Sequence, residues 1–172
     1  MMKMTCAEAA KLLRRLNENL GVLLAEERGC QTFVAALQED VESVRPAYDF
    51  PAMQEKLAVV EAQIRAVRHA INVFNATHEL PGFGMTIDAA LVYLPQLTER
   101  KNKLEKMSKK LEKRRAPRDY GGASNLIEYE YANYSIEEAR ARYAEASDTL
   151  SRLQMAIDRA NSEGMLEIDI DL

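Results

Sequence analysis

Arg114 and Arg115 lead into the run RDYGGASN, which holds Arg118 and Tyr120, and Tyr129, Tyr131 and Tyr134 follow closely. Guanidinium groups grip phosphate oxygens through paired N–H donors, and aromatic faces stack on bases. The chemistry these types suit is anion or nucleic-acid binding, and Arg114, Arg115, Arg118, Tyr120, Tyr129 and Tyr131 form the candidate site. A structural reading stands beside it. Cations at a helix C-terminus complement its dipole, and tyrosines on a half-buried strand pack their rings while keeping the hydroxyl wet. From Lys101 to Arg118 nine Lys or Arg face only Glu105 and Glu112, a local charge of +7 in a chain of net charge −4. The overall sign argues against a generally nucleic-acid-binding surface, whereas the local polarity steers an anionic partner to one place.

Other chemistry is harder to build from these residues. His69 and His78 are isolated, and neither Cys-x-x-Cys nor His-Glu-x-x-His spacing occurs, so no metal site is expected. His78 falls in phase with an apolar helical stripe and reads as a packed or capping side chain, while His69 falls on the solvated side. Cys6 and Cys30 read as small hydrophobes in the same kind of stripe, too few for a disulfide framework. With no nucleophile, acid or base fixed by spacing, neither a catalytic residue nor a cofactor is expected.

Four stretches must position the candidate site, and each shows alternating spacings of three and four between apolar residues, the mark of a coiled-coil seam. They are Cys6, Ala9, Leu13, Leu16, Leu20, Leu23; then Met53, Leu57, Val60, Ile64, Val67, Ile71, Phe74; then Ile87, Ala90, Leu94, Leu97, Lys101, Leu104, Ser108, Leu111; and last Ile136, Ala139, Tyr143, Ala146, Leu150, Leu153, Ile157, Ala160. The spacing predicts helices over about 5–28, 51–79, 86–115 and 135–163, each about 36–45 Å long. Thr5 with Glu8 and Ser135 with Glu138 have capping-box spacing. Pro51 suits a first turn, Thr86 can cap the third helix, and Pro95 should kink it.

The connections differ in length. The two long ones contain CQTFVAAL and LIEYEYANY, and in an up-down arrangement they emerge at one end and can pair as a small sheet. Residues 125–133 and the C-terminal 165–172, where Leu166, Ile168, Ile170 and Leu172 alternate with acids, have strand period. The short connection is the corner in INVFNATHELPGFG. There Asn72 and Asn75 can bond groups that a helix end leaves unpaired, and Gly82 and Gly84 supply conformations other residues resist. A phosphate-cradling loop is disfavoured, because this Gly-x-Gly neither follows a strand nor opens a dinucleotide-binding unit.

The stretch EAAKLLRRLNENLGVLL, together with INVFNATHELPGFGMTIDAALVYLPQLTERKNKLEKM, resembles a family of small uncharacterised bacterial helical proteins, some members of which are labelled septicolysin. The resemblance spans most of the chain. It implies a mainly helical fold and, through the label, a cytolysin, but no activity that attaches to particular residues. The N-terminus carries charges where a secretory signal needs an unbroken apolar run, and no stretch has the length of a membrane span.

The expectation is therefore one mainly α domain over 1–172, four long antiparallel helices with a small β element, in the cytoplasm and away from membranes. The function class expected is a non-enzymatic interaction or scaffold protein that self-assembles into a homo-oligomer, or binds a protein partner, through its helical seams. Nucleic-acid or nucleotide binding by the Arg/Tyr-rich end is the alternative, and a cytolysin the weaker one.

Overall fold

The computed structural model describes residues 1–116 and 127–170. In chain order the elements are β1 (Met2–Thr5), α1 (Cys6–Cys30), α2 (Val41–Val44), α3 (Phe50–Thr77), β2 (Glu79–Leu80), β3 (Met85–Thr86), α4 (Ile87–Ser108), β4 (Lys113–Arg115), β5 (Tyr129–Tyr131), α5 (Ile136–Glu163) and β6 (Met165–Ile168). The protein is mainly helical, as its periodicity predicts. The strands form small antiparallel pairs, β1 with β6, β2 with β3 and β4 with β5. No helix among the described residues is long and apolar enough to cross a membrane. The chain divides into two compact units, Met1–His78 with Arg159–Leu172, and Glu79–Asp158.

In the first unit α1 packs against α3. Cys6, Ala9, Leu12 and Leu16 are buried on α1, and Met53, Leu57, Val60, Val67 and Phe74 on α3. The α3 residues lie on the predicted stripe, whereas on α1 Leu12 is buried and Leu13 only half-buried. At the far end Glu27 accepts hydrogen bonds from Tyr48 Oη at 3.0 Å and Gln54 Nε2 at 2.6 Å, joining the end of α1 to the start of α3. Helix α1 opens with the predicted capping box: Glu8 N donates to Thr5 Oγ1, and Thr5 N donates to the Glu8 carboxylate. Asp49 caps α3, with Pro51 in its first turn. Strand β6 turns off α5 at Gly164, where a Cβ would lie 2.3 Å from Phe74 Cζ; only glycine fits without displacing that ring. Cys6 N donates to Gly164 O at 3.1 Å, which leads β1 and α1 together into the same corner.

The second unit is built on α4 and α5. Leu97 packs with Ala146 and Leu150, and Tyr93, Leu94 and Leu104 close around them. Arg140 Nε donates to Ser108 O at 3.3 Å, and Arg152 lies 5.9 Å from the Phe83 ring, so the two helices run in opposite directions. Thr86 caps α4, and Ser135 Oγ accepts from Glu138 N at the start of α5, both as predicted. Pro95 sits inside α4, which is helical on both sides of it.

Helix α4 stops at Ser108, seven residues short of the predicted end at 115. Two forces end it. Its opposite number α5 begins at Ile136, and the next stripe residue, Leu111, is 68% exposed, with no described residue burying it. Continuing the helix would also stack like charges four apart, Lys106 on Lys110, Lys109 on Lys113 and Lys110 on Arg114, each mildly destabilising. The chain becomes β4 instead.

Candidate functional site

Strands β4 and β5 make a two-stranded ribbon in which Lys113 pairs with Tyr131, Arg114 with Glu130 and Arg115 with Tyr129. Two further backbone bonds extend it, Ala116 N to Glu128 O and Ala132 N to Glu112 O, both at 2.9 Å. The ribbon is anchored to the helices by side chains that satisfy carbonyls left open where α4 ends. Tyr134 Oη donates to Met107 O at 3.0 Å, and Arg140 Nε donates to Ser108 O. Tyr134 thus has a structural role.

Strand alternation sorts the remaining side chains onto two faces. On one, Arg114 Nε donates to Glu130 Oε2 at 2.6 Å, Lys110 Nζ lies 3.8 Å from the same carboxylate, and Lys109 is engaged by Glu105 at 2.5 Å. Lys109, Lys110, Arg114, Glu130 and Tyr134 help to line a pocket of about 380 Å³ on this side. Its cations are largely answered by its acids, and the Lys109 bond holds the Glu105 carboxyl below its ordinary range.

The other face carries Lys113, Arg115, Tyr129 and Tyr131. The Lys113 ammonium stands 4.1 Å from the Tyr129 ring centroid and 5.3 Å from that of Tyr131. Such cation–π contacts hold a cation over aromatic faces without neutralising it. Tyr129 is 48% and Tyr131 62% exposed, and β4 is exposed throughout. Among the described residues neither Lys113 nor Arg115 has an acidic partner, and this face presents two cations and two solvent-facing rings.

Of the predicted site residues, the ribbon gathers Arg115, Tyr129 and Tyr131 on one face and turns Arg114 to the other. Arg118 and Tyr120 lie outside the described residues. Sequence reasoning missed Lys113, which stands between the two rings. Its alternation with Arg115 and position two residues from it would have exposed it, had 113–115 been read as strand instead of the end of a helix. Among the described residues no strand pairing joins CQTFVAAL to LIEYEYANY. Residues 31–40 contain no strand, and Tyr129–Tyr131 pairs with the nearer cationic segment.

The corner at residues 71–84 has its glycines in the expected conformation, and its helix end is closed by His78 and Thr77. Asn72 is exposed and Asn75 half-buried on α3, and other groups close the helix end: His78 N donates to Phe74 O at 2.8 Å, and Thr77 Oγ1 to Val73 O at 2.8 Å. The His78 ring stacks on Phe74 at 4.7 Å, a packed role, while His69 is exposed. Gly82 at φ 82° and Gly84 at φ 61° take the left-handed conformation expected of them, in the turn joining β2 to β3. Cys6 is buried, and burial pushes its thiol up, away from the thiolate a nucleophile needs; Cys30 is half-buried. Among the described residues no three His, Cys, Asp or Glu side chains gather where they would hold a metal ion.

This fold has a solved counterpart. The crystal structure of a functionally unknown conserved protein from Corynebacterium diphtheriae is similar to this chain with a TM-score of 0.56 and 19% sequence identity, over 96% of this chain and 100% of that one. At that identity the likeness is one of fold alone. No family model matches the chain, and no curated protein does.

Proposed function

We propose that this is a non-enzymatic interaction protein whose recognition element is the β4–β5 ribbon and whose partner is a nucleic acid. The observation that carries the reading is the shared exposed face of Lys113, Arg115, Tyr129 and Tyr131, where cations with no acidic partner among the described residues alternate with solvent-facing rings. Phosphate affinity comes from the cations and is sequence-independent, and the rings add contact to bases. Assembly through the helical seams draws less support. The buried stripe residues are used within the chain, on α1 and α3 in the first unit and on α4 and α5 in the second.

The test is the salt dependence of binding to a labelled oligonucleotide, followed by fluorescence anisotropy. Binding should weaken steadily as salt rises, and Lys113→Ala with Arg115→Ala should flatten the logarithmic slope by about 0.7–0.9 per lost phosphate contact. Absence of binding at low salt, or a slope untouched by the double substitution, would remove the proposal.

A further inference from the structure

We propose that the ribbon binds single-stranded nucleic acid in preference to duplex, taking two successive bases on Tyr129 and Tyr131 with the linking phosphate at Lys113. The inference rests on the nucleic-acid reading above and concerns the same face. Side chains two apart on a strand project about 7 Å apart, because each residue rises about 3.4 Å. Bases in a duplex repeat every ~3.4 Å along each strand, so their faces are closed against one another. Two rings at twice that spacing can each meet a base only when neighbouring bases are splayed, as they are in a single strand.

Lys113 fits this geometry. Its ammonium lies over the Tyr129 ring, 4.1 Å from the centroid, and 5.3 Å from that of Tyr131, so it covers one side of the rings and leaves a base to meet the other, with one positive charge shared between the two positions. A phosphodiester joining two ring-stacked nucleotides passes close to that point. Arg115 pairs across the ribbon with Tyr129, so it lies beyond the first ring and suits the neighbouring phosphate. The face is short, and a segment of very few nucleotides covers it. Glu130 is on the opposite face and held by Arg114.

The test compares one short labelled oligothymidylate, its duplex with the complementary strand, and polyglutamate as an anionic polymer without rings. The protein variants are the full chain, Tyr129→Leu, Tyr131→Leu and the matching Phe substitutions, with circular dichroism to check folding. The expected result is at least tenfold tighter binding of the single strand than of the duplex. Each Leu variant should lose about five- to a hundredfold with an unchanged salt slope, and each Phe variant should keep its affinity. Duplex binding as tight as single-strand binding, with the Leu variants unaffected, would overturn the single-strand assignment while leaving a phosphate-binding ribbon. Polyglutamate binding as tightly as the oligonucleotide would overturn the assignment to nucleic acid, and failure of every polymer to bind would overturn the underlying reading as well.

Discussion

The β1–β6 pair and the β4–β5 ribbon are built on one plan and put to different ends. Both are two-stranded and antiparallel, and both place an ion pair at a central cross-strand position, Lys3 with Glu167 at 2.8 Å in the first and Arg114 with Glu130 in the second. They differ in what flanks that pair on the reverse face. In β1–β6 the flanking pairs are Met2 with Ile168 and Met4 with Leu166, and Met4, Leu166 and Ile168 are buried. In β4–β5 they are Lys113 with Tyr131 and Arg115 with Tyr129, all exposed. An isolated two-stranded ribbon is at best marginally stable in water. The first pair overcomes this by burying apolar side chains, with β6 packed on α3. The second relies on backbone bonds, cation–π contacts and anchoring through Tyr134 and Arg140, and it commits little apolar surface to a core. Side chains that the fold does not consume are the ones available to a partner.

The largest effect that would sharpen this contrast is on stability. Leu166→Ala or Ile168→Ala should cost about 2–5 kcal/mol, as for other buried aliphatic truncations. Tyr131→Ala should cost within about 1 kcal/mol, in the range of a cross-strand pair. Urea denaturation of the three variants measures both. A Tyr131→Ala loss as large as that of Leu166→Ala would make the ribbon part of the core and break the distinction.

A smaller effect comes from the exposed ion pair of β1–β6. Hydrogen bonding and attraction from Lys3 hold the Glu167 carboxyl below its ordinary value of 4.5, and Glu167 in turn raises Lys3 above 10.5. The Glu167 contribution is fully present above pH 4.5 and is lost as pH falls through the lower value of the folded protein. The Lys3 contribution is present below pH 10.5 and is lost as pH rises through its raised value. Glu167→Gln should therefore lower the melting temperature slightly between these limits and leave it closer to wild type at strongly acid pH. A pH-independent difference between the two proteins would show that the pair does not act through charge.

Much of this architecture is legible in the sequence because burial follows period. Every buried residue of α3, and those of α5 from Ile136 to Ala160, lie on stripes marked by spacings of three and four. Caps at Thr5, Thr86 and Ser135 were legible for the same local reason, since a side-chain oxygen and a nearby backbone N–H need no tertiary context. The end of α4 was not. Ser108 and Leu111 keep the period, and the exposure of Leu111 depends on where α5 begins, which the period of the third stripe does not show. A helix extended to 115 makes Arg114 and Arg115 one cluster, whereas strand alternation sends them to opposite faces. The pairing of β1 with β6 was hidden for a different reason: it joins segments at the two ends of the sequence, and strand period at 165–172 names no partner.

The most direct measurement is backbone hydrogen exchange, followed by mass spectrometry with and without a single-stranded oligonucleotide at low salt. The result predicted is slower exchange confined to residues 113–115 and 129–131, with residues 2–5 and 165–168 unchanged. Unchanged exchange at the ribbon, or protection centred on β1 and β6 instead, would contradict the assignment of one strand pair to the core and the other to the partner.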